Sequence, residues 1–267
     1  MARQPNNIAE LNKRSYAKSG VVSWYEKLDF LHPAEAVILE KLRPFIKDRK
    51  VLDIGIGGGR TTKFLLDLGS DYTGIDYTPG CVAAARRKYP AAHLFCCDAR
   101  DLSQFSTSSF GFVMFSLNGL DYVSHEDRLR ILGEIRRVLQ PGGFFVFSTH
   151  NRDYRHFHKL PWQAGTPFNL NLLKSCLYTL AFLPRHLRMR RYEVHADEYL
   201  IVNDNAHGFS LLTYYIGIEQ QRAQLVAAGF ADIHAYDLEG VEVESDQNSA
   251  WTYYLASKPG TGNNVPR

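Results

Sequence analysis

One stretch restricts the fold of this chain more than any other: Val51-Leu52-Asp53-Ile54-Gly55-Ile56-Gly57-Gly58-Gly59-Arg60. A short apolar strand runs straight into a glycine-rich turn, and residues 61–68 read as the helix that follows. Glycine takes positive φ without steric penalty and leaves no Cβ between backbone and ligand. At the end of a parallel strand, such a turn suits a nucleotide-type ligand held beside the next helix.

The rest of the first half follows that lead. Residues 71–75 form a second strand closed by Asp76, with Thr78 and Pro79 as N-cap and first position of a helix to Lys88. A third strand at 94–97 ends at Asp98, and a fourth at 110–115 runs into Ser116-Leu117-Asn118-Gly119. Ser124 and Asp127 read as a reciprocal capping pair. They open a helix whose apolar positions Leu129, Leu132, Ile135, Val138 and Leu139 recur at three and four. Pro141-Gly142-Gly143 then turns the chain into a strand at 144–148, with His150 at its end. Short apolar strands alternating with helices predict an α/β fold with a parallel sheet covered on both faces.

Upstream, residues 12–31 read as helical material folding over another part of the protein. Trp24 and Leu28 are expected to fill the core, while Tyr16 and Tyr25 are free to face a ligand. A helix starting at Pro33 ends near Asp48. Downstream of His150 the alternation stops until a helix at 220–228. Residues 151–217 are too long for a plain connection. They hold an apolar stretch at 170–183, a basic run at 185–191, and two strand-like pieces at 198–202 and 209–215. The latter are expected to pair as a hairpin over the ligand end of the sheet. Strands at 231–236 and 251–257 complete the core. The expected organisation is an N-terminal helical lid (1–32), a binding core (33–150), a covering insertion (151–217), core completion (218–258) and a disordered tail (259–267).

Composition bounds the function. Over 267 residues, 45% hydrophobic and 22% charged, the chain can bury one substantial core. A net charge of +3 lends no support to a nucleic-acid partner. The cysteines at 81, 96, 97 and 176 form no CxxC pair, and the histidines lack metal-ligand spacing, so reduced thiols and no metal are expected. The polar start MARQPNN carries no secretory h-region. The apolar segment at 170–183 is broken by Asn171, Lys174 and Ser175, too short and polar for a span. A cytoplasmic protein without a membrane partner is the expectation. An exposed strand edge in the insertion leaves a homodimer open.

The acids separate two ligand classes. A dinucleotide fingerprint requires glycine where Arg60 stands, and an acid beside the turn opposes a pyrophosphate. Asp53, Asp76 and Asp98 suit instead a ligand with a positive charge, an amine and a ribose. On these residues the chain resembles the class I S-adenosylmethionine-dependent methyltransferases. The pattern D-x-G-x-G-x-G falls at Asp53, Gly55, Gly57 and Gly59, Asp76 stands in TGIDYTP, Asp98 in CCDARDL, and Leu139-Gln140-Pro141-Gly142-Gly143 closes the set.

The resemblance implies a Rossmann-like, mostly parallel sheet of seven strands in order 3-2-1-4-5-7-6 with an inserted α+β lid. It also implies S-adenosylmethionine as cofactor. Asp76 would hold the ribose and Asp98 the adenine edge, with Tyr77, Ala99, Ser116 and Asn118 beside them and Tyr16 and Tyr25 as lid aromatics. It leaves the acceptor open. No SPPY- or NPPY-like element follows the fourth strand, which counts against the amino methyltransferases of DNA and glutamine.

For the acceptor side, the residues themselves suggest His150 as a general base, histidine titrating in a useful range. Asn118, His195, Asn203, Asp204, His207, Tyr214 and Tyr215 are candidate acceptor contacts. The expected activity is N- or O-methylation of a small secondary metabolite by in-line transfer. A larger acceptor (RNA, lipid or carrier-bound intermediate) and a non-catalytic cofactor-binding subunit stand as alternatives.

Overall fold

The computed structural model describes residues 8–68, 71–157 and 170–260, apart from the side chains of 170–172 and 175. Helices α1 (Ile8–Tyr16), α2 (Ser19–Glu26) and α3 (Pro33–Ile46) precede the sheet. The expected helical material at 12–31 is thus broken in two. Trp24 corrects a second expectation: it is 52% exposed, its ring edge-on to Tyr25 rather than in the core. The core alternation follows as β1 (Val51–Ile54), α4 (Thr62–Leu66), β2 (Tyr72–Asp76), α5 (Pro79–Lys88), β3 (His93–Cys96) and β4 (Phe110–Phe115). A 3-10 turn (Gly119–Asp121), α6 (His125–Val138) and β5 (Leu139–Asn151) come next.

Strands β1 to β5 pair in parallel, and alternate residues feed two cores. Leu52, Ile54, Val113, Phe115, Phe145 and Phe147 pack with Ile131 and Ile135 of α6. Val51, Phe112, Met114, Phe144 and Val146 pack with Ile38 and Leu42 of α3 and Val82 of α5. This double burial is why the strands read as continuous apolar runs rather than alternating ones.

Two expectations about the α6–β5 region need correction. Ser124 Oγ accepts the N–H of Asp127 at 3.1 Å, but the reciprocal cap is absent; the Asp127 carboxylate takes Arg100 instead. The Pro141-Gly142-Gly143 stretch does not stand outside the strand. It lies within β5 as an irregularity, Phe110 pairing Leu139 and Phe112 pairing Phe144.

The segment 170–217 contributes α7 (Leu170–Arg190), β6 (Val194–His195), β7 (Tyr199–Val202) and β8 (Thr213–Ile216). Helix α8 (Ile218–Ala227) and strands β9 (Ala231–Tyr236) and β10 (Trp251–Ser257) close the chain. Among the described residues the sheet has ten strands, eight along the path β3-β2-β1-β4-β5-β8-β7-β6, with β10 pairing both β5 and β9 off that path. The expected seven-stranded sheet and its order are therefore corrected.

The physical reason lies in the length of β5. It outruns β4, and its last residues His150 and Asn151 take β8 as a parallel partner. Since β10 runs antiparallel along the other edge of β5, pairing Trp251 with His150, β8 occupies the edge that β4 leaves free. The insertion's strands thus extend the sheet past its carboxyl end. No described helix is long and apolar enough to cross a membrane. The expected tail beyond 260 lies outside the described residues.

Candidate active site

The carboxyl ends of the parallel strands converge on one cleft of about 960 Å³, counted to its open mouth. The turn after β1 forms its floor. Gly57 has φ of +54°, and its N–H donates to Asp76 Oδ2 at 2.9 Å; Thr78 N–H donates to Asp76 Oδ1 at 2.7 Å. Asp76 is thereby fixed at the end of β2 facing the turn. Asp53 lies inside β1, 1% exposed, and its Oδ2 accepts from Thr61 Oγ1 at 2.7 Å and Tyr72 Oη at 2.9 Å. Burial pushes its carboxyl up to about 7, against the pull of those two hydroxyls. Asp98, just past β3, is clamped by Arg100 at 2.7 Å.

Tyr77, Ala99 and Ser116 line the cleft as expected for neighbours of the strand ends, and Tyr16, Tyr25 and Tyr122 close it from above. Tyr16 lies 5.2 Å from Tyr122 and 6.0 Å from Tyr25, centroid to centroid. Helix α2 approaches the glycine turn so closely that a Cβ at Gly58 would fall 2.3 Å from the Cα of Glu26. Gly59 serves packing instead: it lies off the cleft against Tyr89, and its φ is +88°.

Arg60, the residue that breaks a dinucleotide fingerprint, is 4% exposed and spent. Its two terminal nitrogens each reach Glu35 at 2.6 Å, and Nη2 also donates to Ser116 Oγ at 2.7 Å. Burial alone would raise the Glu35 carboxyl, but the guanidinium outweighs it and holds it low. Arg60 is the sole basic side chain among the described residues lining the cleft. Lys13 comes near only from outside, over the Tyr77 ring at 5.4 Å. A pyrophosphate would find acids and no free cation there, whereas an adenosyl sulfonium finds a glycine floor, a fixed acid at the β2 end, and aromatic walls. The residues fit that cofactor.

Beside the cleft stands a second constellation. Leu117 and Asn118 both take left-handed backbone conformations, φ +51° and +57°, which swing the chain from β4 into the 3-10 turn. That turn carries Asp121 beneath His150. His150 Nδ1 lies 2.7 Å from Asp121 Oδ2, which also accepts the His150 backbone N–H at 2.7 Å. The other oxygen accepts from Arg128 Nη1 at 2.7 Å and Thr149 Oγ1 at 2.6 Å. Asp121 and Arg128 are fully buried. Arg128 donates further to Gln221, Gln224 and the carbonyl of Leu120, and lies 4.4 Å from the Tyr214 ring. The outer nitrogen of His150 sits 3.4 Å from Asn118 Nδ2, among the rings of Tyr122, Tyr215 and Trp251. Asn118 Oδ1 is buried without a partner.

The remaining candidates divide. Tyr215 faces His150 at 5.0 Å and donates to Asp204 at 3.0 Å. His207 meets Tyr16 and Tyr25 at 5.8 and 6.5 Å. Tyr214, its neighbour Tyr215 facing the site, points the opposite way and stacks with Tyr199 beside His125. Asn203 is spent on the carbonyls of Phe209 and Leu211. His195 is an exposed side chain near Glu193. Sequence reasoning missed Asp121, Arg128, Tyr122, Glu35 and Gly58. Asp121 is two residues past Ser116-Leu117-Asn118-Gly119, but no local pattern ties it to His150.

A strand-end cleft with a glycine floor, fixed acids and no free cation among its described lining residues fits an adenosyl sulfonium on a Rossmann-like fold. Comparison with known proteins agrees. Residues 51–143 match a family described as a methyltransferase domain. A ubiquinone biosynthesis O-methyltransferase of Hydrogenovibrio crunogenus is 27% identical over 181 residues, 61% of this chain and 73% of that one. Another of the same name, from Cereibacter sphaeroides, is 32% identical over 40% of this chain and 44% of its own. In fold, the chain resembles the 1,6-didemethyltoxoflavin-N1-methyltransferase of Burkholderia thailandensis. The TM-score is 0.58 at 16% identity, over 96% of this chain and 90% of that one. Residues 51–143 form a methyltransferase domain on a class I fold; the enzyme is an S-adenosylmethionine-dependent methyltransferase, and S-adenosylmethionine is its cofactor.

Proposed function

We propose that this enzyme methylates a hydroxyl of a small, ring-bearing acceptor, with His150 as general base and Asp121 as its positioning partner. The observation that carries this reading is the His150–Asp121 contact at 2.7 Å, inside a buried network that leaves the outer imidazole nitrogen toward the acceptor side. An amine acceptor needs no proton removed before attack, whereas a hydroxyl gains from a base, typically about 10²–10⁴-fold.

Other side chains nearby are poor bases. Burial holds the Tyr16, Tyr122 and Tyr215 hydroxyls well above their ordinary range, and pushes Tyr25 up to about 12. They remain protonated and donate. The activated methyl arrives with bound S-adenosylmethionine. Gly55, Gly57, Asp53, Asp76 and Asp98 would hold that cofactor, and Tyr16, Tyr25 and Tyr122 would exclude water above it. Asp121 accepts from Nδ1, so Nε2 is the nitrogen that receives the acceptor proton. Alignment of the two reactants in such a closed site supplies much of the rest of the acceleration. The described part of the insertion, through Tyr215 and the 203–212 loop, acts as the acceptor-side cover. That the H. crunogenus relative is named an O-methyltransferase supports the same reading.

The test is methyl transfer from labelled S-adenosylmethionine to matched pairs of phenolic and amino acceptors, with wild type and His150→Gln. Phenols should be preferred, and the substitution should remove that preference while cofactor affinity stays. Preference for the amines, or a His150→Gln rate equal to wild type at every pH, would overturn the reading.

A further inference from the structure

Helix α7 turns its apolar side the wrong way. Leu173, Leu177, Leu180 and Leu187 are 55%, 57%, 63% and 58% exposed. Their spacings of four, three and seven place them within about an 80° sector of the helix. A helix of a globular protein normally turns such a stripe toward the core. Here the opposite side makes the contacts: Arg185 donates to the carbonyl of Gly208 at 2.9 Å, and His186 lies 2.8 Å from Asn203 Oδ1. Met189 packs against the β7–β8 cluster. The leucines therefore face away from the molecule.

Charge decides what covers them. No Asp or Glu occurs between residues 170 and 190. Lys174 and Arg188 flank the leucine row on one side. Arg190 flanks it on the other, 3.7 Å from Glu193. Cations beside an outward apolar stripe match a headgroup layer, where long basic side chains reach anionic phosphates while the leucines enter the acyl boundary. The length supports the same orientation, 21 residues spanning about 30 Å along the surface. We infer that α7 docks this enzyme on the surface of an anionic lipid bilayer. This is docking at a surface, not spanning, and it revises the expectation of no membrane partner.

The position of α7 gives docking a consequence. The loop held by Arg185 and His186 also carries His207, which meets the lid residues Tyr16 and Tyr25. A bilayer on the leucine face would lie on the outer side of the acceptor cover, within reach of an amphiphilic acceptor. The docking itself rests on α7 alone and not on the proposed chemistry.

Vesicle flotation of the full chain tests the inference, with phosphatidylcholine alone and with added phosphatidylglycerol. Wild type should float with the anionic vesicles, stay largely soluble with the neutral ones, and be released by salt. The triple variant Leu177→Ser, Leu180→Ser, Leu187→Ser should lose about tenfold or more in partitioning. The pair Lys174→Glu, Arg188→Glu should lose a comparable factor. Both variants should keep the wild-type affinity for S-adenosylhomocysteine, which reports an intact fold. Wild type that stays soluble with anionic vesicles would overturn the inference, as would equal flotation of the leucine variant. So would a wild-type dimer that the leucine variant splits in sedimentation, since the face would then belong to a second copy.

Discussion

Two buried carboxylates mark the two sides of the site, and the chain treats them oppositely. On the cofactor side, Asp53 meets only hydroxyls, and burial pushes it up to about 7. On the acceptor side, Asp121 takes a guanidinium, a hydroxyl, a backbone N–H and an imidazole. An uncompensated buried acid is an appetite for a cation, and the ligand brings one. A compensated acid is a fixed post, suited to orient a neighbour rather than bind a guest. The difference separates a pocket suited to a cation from what is, under the proposed function, a fully satisfied catalytic support.

The hardest blow to this contrast is Asp121→Asn. It should lower kcat on a hydroxyl acceptor about 10³-fold or more, because an amide no longer fixes the imidazole tautomer. Stability should also fall by about 3–5 kcal/mol, since Arg128 is left as a buried charge without a counterion. Adding Arg128→Met should restore much of the stability and none of the rate; urea melts and initial rates separate the two. If the double variant recovered activity, Asp121 would be only a structural counterion.

Asp53→Asn asks the converse question. Because the folded carboxyl is raised above the unfolded value of about 3.9, the folded state holds the proton between about pH 4 and 7. Stability from this group is therefore lost as pH rises through that window, and stays low above it. The asparagine variant should remove this loss, making the ligand-free protein about 2–4 kcal/mol more stable at pH 8. Cofactor affinity should drop, and the wild-type weakening of binding below about pH 7 should vanish. Urea melts at pH 5 and 8 with calorimetric titration check both. A variant that is less stable at pH 8 would mean the hydroxyls around Asp53 matter more than its charge.

The same asymmetry explains what the sequence discloses. The cofactor side is built from contiguous pieces. The strand and its turn are contiguous, and the acid closing the next strand, 19 positions after Gly57, sits in its own strand–acid–helix-cap pattern, so Gly57 and Asp76 are each readable locally. The acceptor side is built from separation. Asp121 and His150 are 29 positions apart and meet only because residues 117 and 118 adopt left-handed backbone. Arg128 reaches them from a helix whose apolar periodicity says nothing about one buried cation. The pairing of β8 with the free end of β5 depends on β4 being shorter, a difference hidden while the Pro141–Gly143 stretch reads as a turn. Trp24 misleads for a related reason: a large aromatic in an amphipathic pattern implies burial, but α2 packs on the turn through its backbone.

That backbone contact supplies the gentlest test, because it lies where the two sides share a roof. Gly58 is not among the glycines with positive φ, so alanine is conformationally allowed there and only the approach of α2 is challenged. A methyl group 2.3 Å from the Cα of Glu26 cannot be accommodated, so α2 must withdraw and take Tyr25 off the cleft. The sheet and the Asp121 network lie away from this contact and should be unaffected. Gly58→Ala should raise the Kd for S-adenosylmethionine about tenfold, or ~1.4 kcal/mol. Cleavage by protease around residues 17–31 should quicken, and the melting temperature should shift little. The pH profile of kcat under saturating cofactor should keep its wild-type shape, since it reports the His150 side alone. A changed profile would show that the lid also sets the environment of His150, joining the two halves of the site that the two aspartates keep apart.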